Sequence, residues 1–189
     1  MKKNIFSIPL HEFYGEDASI NAKLIPLIYT HLEKIRNTLS STDKNKFDCS
    51  ENGLTSFYGP NLLQLQEFNF FHDYLYKNLE KEYQRPVSIQ NMWFTVYKEN
   101  HFIPRHTHPI SQWSGVYYVQ AYNNCGNLNF YDPIGEFKNH FGNDYKTFVE
   151  IEPKENLFLT FPSWLAHQSN KNKSNYDRII VSYNFFVGL

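Results

Sequence analysis

The chain has 189 residues, 41% of them hydrophobic, which is enough to bury a core and excludes a disordered chain. A net charge of −1, with no long basic or acidic block, excludes nucleic-acid binding driven by electrostatics. Aromatic residues make up 18%, with 17 Phe and 14 Tyr, and such residues pack well on pleated surfaces.

Two stretches in the N-terminal half carry a helical period. Between Asp17 and Ser41, an apolar stripe runs through Ile20, Leu24, Leu27, Ile28, His31, Leu32 and Ile35. Asp17 or Ser19 is placed to cap its start, and Pro26 is expected to kink it or delay its onset. Residues 41–60 are polar and turn-rich and read as loop. The period returns from Asn61 to Gln84 through Leu65, Phe68, His72, Leu75, Leu79 and Tyr83, and Arg85-Pro86 ends it.

From Val87 the texture changes to short Val-, Ile-, Phe- and Tyr-rich runs between turn signals. Eight strands are expected, in VSIQNMWFTVYKE, HFIPRH, QWSGVYYVQA, GNLNFYDP, FVEIEP, NLFLTFP, HQSN and DRIIVSYNFFV. The expected fold class is α+β, mainly β. It is a jelly roll with N-terminal helices packed on one sheet, in a single domain over 1–189. Within it, residues 1–86 form a helical flank and 87–189 the β core.

Cys49 and Cys125 stand in unrelated contexts and make neither a disulfide framework nor a CxxC site. The N-terminus does not read as a signal peptide and no run approaches a membrane span, so a cytoplasmic protein with no membrane partner is expected. Oligomeric state is not readable, a homodimer being one option.

The chemistry-bearing residues cluster in the β half. His106 and His108 are two apart, so in a strand they face the same way, roughly 6.6 Å apart. Both imidazoles can reach one ion from there. A third ligand has to come from elsewhere, and His167, 59 residues after His108, is the candidate. Three ligands on one face leave other metal positions open. The bland reading of the pair is a polar loop. Eleven residues beyond His167, Arg178 opens a strand on which it shares a face with Ile180, Ser182 and Asn184. That polar face suits a bound carboxylate, which an arginine meets with a two-pronged fork. Otherwise Arg178 is solvated or paired with Asp177 or Glu152. Nine residues before His106, Tyr97 shares a face with Asn91, Trp93 and Thr95. Its hydroxyl either adds to the same carboxylate or sits in the core.

Together these pieces resemble the 2-oxoglutarate/Fe(II) dioxygenase superfamily, built on a double-stranded β-helix. The segments HTHPISQWSGVYYV, CGNLNFYDP, FPSWLAHQSN and DRIIVSYNF look like a bacterial and phage group of 2OG-Fe(II) oxygenases marked by H-x-H-P followed by S-G-x-Y-Y. The resemblance covers roughly residues 88 to 187. It implies Fe(II) held by His106, His108 and His167. It implies 2-oxoglutarate as co-substrate, its far carboxylate on Arg178 with help from Tyr97, Ser182 and Tyr118. Dioxygen would then be used to oxidise a C–H bond of an amino acid, peptide side chain or small metabolite, releasing succinate and CO2. Trp93, Trp113 and Asn184 are candidates for substrate contact, and Phe130 and Tyr131 for an aromatic pocket.

One departure stands out. The superfamily's carboxylate position is His108 here, and Asp132 is the alternative source of a carboxylate. A three-histidine, cupin-like dioxygenase without 2-oxoglutarate uses the same histidines, but the cupin pattern's Glu and its glycine before the last histidine are missing. A non-catalytic jelly-roll binding protein is a third reading, with a closed metal site or none.

Overall fold

The computed structural model describes residues 7–48, 50–108, 110–135, 137 and 146–188. Cys49, Pro109 and His140 lie outside the described residues. Two antiparallel sheets face each other. The larger has six strands, in the order β1 (His11–Tyr14), β8 (Leu157–Pro162), β5 (Trp113–Gln120), β10 (Arg178–Val187), β3 (Val87–Tyr97) and β2 (Leu54–Thr55). The smaller has four, in the order β4 (Ile103–His106), β9 (His167–Ser169), β6 (Leu128–Tyr131) and β7 (Phe148–Ile151). This is the double-stranded β-helix.

Alternation along the central strands divides the side chains between two layers. On one face of the large sheet, Met92, Phe94 and Val96 of β3, Tyr117 and Val119 of β5, and Val181, Tyr183 and Phe185 of β10 join the main core. Helices α1 (Ser19–Thr38) and α3 (Asn69–Tyr83) cover that face with Leu24, Ile28 and Leu32, and with Phe71, Leu75 and Leu79. The opposite face lies between the sheets. There Val116, Leu128, Phe130, Leu159 and Phe161 form a smaller core. Beside it lies a cavity whose wall includes Val116, Leu128 and Phe161.

All eight expected strands form. Helix α1 runs through Pro26 without interruption, and its start is held by the Asp17 carboxylate, which accepts the Ser19 amide N–H at 3.0 Å. The second helical stretch begins as two short 3-10 turns, Leu62–Gln64 and Gln66–Phe68, before α3. The flank before residue 87 is not purely helical. It supplies β1 and β2, which close the two edges of the large sheet. Residues 41–60 are not all loop either: Ser41–Asp48 form helix α2, and Leu54–Thr55 pair with β3. No described helix is long and apolar enough to cross a membrane.

Candidate active site

Three histidines converge on this cavity: His106, His108 and His167. His106 ends β4 and is the direct cross-strand partner of His167 on β9. His108 lies two residues beyond the strand, where its backbone N–H donates to the Ser163 carbonyl at 2.8 Å. Their ligand-type nitrogens all lie within 4.8 Å of one another, and no carboxylate joins this group among the described residues. The His106 and His167 Nδ1–H groups each find a backbone carbonyl, Pro104 and Leu165 respectively, at 2.8 Å. That fixes the tautomer and turns each Nε2 lone pair toward the shared space, as metal-binding histidines require. Burial holds all three imidazoles below the ordinary histidine range, with repulsion between them adding to the effect for His108 and His167. They are neutral donors at neutral pH. Asp132 instead turns its carboxylate to the Ile134 amide, a local turn.

The same cavity, about 510 Å³, holds a buried arginine. Arg178 is 1% exposed. Its Nη1 donates to the Cys125 and Gly126 carbonyls at 2.7 Å and more weakly to Asn170, and its Nη2 donates to Ser169 Oγ at 2.9 Å. Its guanidinium lies 4.2 Å from the ring centre of Tyr97, its cross-strand partner on β3. No carboxylate pairs with it among the described residues. A buried cation met, among the described residues, by carbonyl, hydroxyl and ring dipoles and by no anion favours an anionic guest. Tyr97, Tyr118 and Ser182 line the cavity with it. Burial raises both phenol pKa values, so these hydroxyls are protonated and able to donate.

Trp93 lines the cavity, its ring 5.8 Å from that of His108. Trp113 does not. It points to the helical side, packing against His11, Tyr83 and Phe185. Along β5, residue 113 shares the parity of Tyr117 and Val119, which fixes that direction. Asn184 has the inward parity of Ser182, but it lies further along β10 and accepts the Ser114 hydroxyl at 2.7 Å, away from the cavity lining. Phe130 packs on Phe161 in the small core, and Tyr131 lies under Arg105. The segment 50–58 escaped the sequence reading. It brings Asn52, Gly53, Thr55, Phe57 and Tyr58 to the cavity. The available signal was two adjacent aromatics in an otherwise polar, turn-rich stretch.

Three neutral histidines and a buried arginine with no carboxylate partner among the described residues thus share one cavity of a double-stranded β-helix. Residues 91–184 match the family model of the 2OG-Fe(II) oxygenases, and the chain belongs to that family. It is an Fe(II)- and 2-oxoglutarate-dependent oxygenase. Comparison with curated proteins gives no match. Solved structures of similar fold include a prolyl-4-hydroxylase of Pseudomonas putida, with 13% identity over 97% of this chain and 95% of that one, at a TM-score of 0.58. The viral collagen prolyl hydroxylase of Paramecium bursaria Chlorella virus-1, in complex with 2OG, has 12% identity over 95% and 96%, at 0.57. Iron-bound HygX of Streptomyces hygroscopicus has 8% identity over 96% and 83%, at 0.59. At such identities the likeness is one of fold.

Proposed function

We propose that His106, His108 and His167 hold Fe(II) through their Nε2 atoms, and that Arg178 takes the far carboxylate of 2-oxoglutarate. The donor set fits. Imidazole nitrogen suits iron, and three ligands from one side leave positions for a chelating keto acid and for dioxygen. The observation that carries the reading is Arg178, a buried cation with no carboxylate partner among the described residues, in the cavity that the histidines line. When bound, iron and 2-oxoglutarate supply the oxidising chemistry: dioxygen decarboxylates the 2-oxoglutarate to succinate and CO2, coupled to oxidation of a substrate C–H bond.

The chain's own residues bind, orient and exclude water. Arg178 fixes the depth of the co-substrate, while the Tyr97 and Tyr118 hydroxyls and Ser182 donate to its carboxylate. The Pro104 and Leu165 carbonyls hold the imidazole rings in place. Val116, Leu128 and Phe161 keep the inner wall apolar. The substrate, whether an amino acid, a peptide side chain or a small metabolite, enters past Trp93. A cytoplasmic setting belongs to the same proposal, in keeping with the free, buried Cys125.

The test is an anaerobic Fe(II) titration of metal-free protein, with and without 2-oxoglutarate, followed by visible absorbance. A charge-transfer band that needs both, and vanishes in Arg178→Ala, is expected. Iron binding without the band sends the assignment to a three-histidine, cupin-like site. No iron binding removes the metal assignment of His106, His108 and His167.

A further inference from the structure

From the metal-site histidines a continuous run of rings leads out to solvent. Trp93 lies 5.8 Å from His108, Phe57 lies 5.1 Å from Trp93, and Tyr58 lies 5.2 Å from Phe57, all measured between ring centres. Exposure rises along the run, from 9% at Trp93 to 52% at Phe57 and 90% at Tyr58. A fully exposed aromatic next to a half-exposed one, both at the lip of a cavity, is surface that water does not favour and a flat apolar guest does.

The charges of the cavity are equally informative. Among the described lining residues there is no Asp, Glu or Lys. The three histidines are committed to the metal and Arg178 to the co-substrate. What remains beside the rings is uncharged: Ser50, Asn52, Thr55 and Thr107. Among the described lining residues, the ammonium group of a free amino acid meets no carboxylate and its carboxylate meets no spare cation. Desolvating those charges unpaired costs more than the rings return.

We propose that the substrate presents an uncharged, flat, apolar group, which slides along Tyr58, Phe57 and Trp93 until its C–H bond lies beside His108. This rests on the assignment of the metal and co-substrate ends made above. It excludes free amino acids and other zwitterions from the substrate classes still open. The same chemistry could be carried by a small neutral metabolite or by a side chain of a polypeptide.

The experiment measures binding by saturation-transfer NMR on protein loaded with Zn(II) and 2-oxoglutarate. Four probes are used: N-acetyl-L-phenylalaninamide, zwitterionic L-phenylalanine, N-acetyl-L-leucinamide, and an end-capped, uncharged heptapeptide with a central Phe. The neutral aromatic probe is expected to bind about tenfold more tightly than the zwitterion and than the leucine amide. Phe57→Ala and Tyr58→Ala are each expected to weaken it by about fivefold or more, whereas Phe148→Ala, on the far edge of the small sheet, leaves it unchanged. Tighter binding of the heptapeptide assigns the group to a polypeptide, and equal binding assigns it to a small molecule. The proposal is overturned if the zwitterion binds as well, if the leucine amide binds as well, or if none of the four binds. Loss of the iron–2-oxoglutarate absorbance band in the wild-type protein is a separate failure. It removes the assignment of the site, whatever the probes do.

Discussion

The Nε2 atoms of His108 and His167 face each other at 3.2 Å, with the two rings 11° from parallel. Two ligands held about 2.1 Å from one metal at a right angle stand about 3 Å apart, so the pair is already spaced for chelation. His167 spends its Nδ1 proton on the Leu165 carbonyl, so its Nε2 can only accept. In the metal-free protein His108 therefore donates from Nε2. A metal held by both Nε2 atoms would take the place of that hydrogen bond, with the His108 proton moving to Nδ1.

The affinity for metal should then be flat in pH near neutrality. Burial, with His106 charge adding to it, holds His108 at about 4 and His167 at about 3. Depressed values mean that protons compete with the metal only in acid. Zn(II) affinity, measured by competition with a chelator of known pH dependence, is expected to vary less than about threefold between about pH 8 and about pH 6. A fall of about tenfold per pH unit across that window would show that the histidines are protonated in the resting site.

His108→Asp tests the charge of the centre. Three imidazole ligands would leave the metal its full double charge, which a dianionic co-substrate would then neutralise. An aspartate would carry one negative charge permanently. Fe(II) binding without 2-oxoglutarate should strengthen by about tenfold or more, while the further gain on adding 2-oxoglutarate shrinks. Calorimetric titration with Mn(II), in the presence and absence of the co-substrate, reads both quantities. Equal gains in the two proteins would show that ligand charge does not couple the sites.

How much of this was legible in the sequence depended on periodicity. The inward parity of Tyr97, Arg178 and Ser182 is a local property of a strand, and the fold preserves it. The reading of His106 and His108 as one strand face does not hold, because β4 ends at His106, yet both rings reach the same space. The pairing of His106 with His167 and of Tyr97 with Arg178 is a matter of register between distant strands. No local pattern states it: the sequence offered His167 as a third ligand, and Tyr97 and Arg178 for one carboxylate, without showing which residue faces which. Parity says which face a residue takes and not how deep it sits, which is why Asn184 ends in a hydrogen bond with Ser114 instead of the cavity. His11–Tyr14 was missed because four residues are too few to show a period. The lip at Phe57 and Tyr58 was missed because turn residues surround it.

Gly126 explains a small part of the motif CGNLNFYDP. Its φ of 92° belongs to the left-handed side that glycine alone enters freely, and its carbonyl meets Arg178. An added Cβ would stand 2.4 Å from the Asn170 carbonyl oxygen and 2.9 Å from Arg178 Nη1. Gly126→Ala should lower stability by about 2 kcal/mol and push the guanidinium aside. Denaturant unfolding checks the first effect. A rise in the 2-oxoglutarate concentration needed for the absorbance band checks the second. A stable variant with unchanged co-substrate affinity would show that the loop adjusts freely.

His31 gives the fold a pH dependence of its own, away from the site. It is 7% exposed on α1, edge-on to Phe68 and Phe94, and its Nδ1 has no hydrogen-bond partner among the described residues. Burial pushes its pKa down, only partly opposed by Glu67. The sign follows from linkage. The unfolded chain takes up a proton near pH 6.5 while the folded chain resists it, so stability is complete above that pH. It is lost as pH falls, by up to about 1.4 kcal/mol per unit, until the folded form is protonated too. His101, His106, His108 and His167 are shifted the same way, so the wild-type loss is shared among them. His31→Leu keeps an apolar side chain between the two rings and removes one titrating group. Its melting temperature should therefore fall less than that of the wild type between about pH 7.5 and about pH 5.5. Parallel falls in the two proteins would mean that the His31 ring takes up its proton without leaving the core.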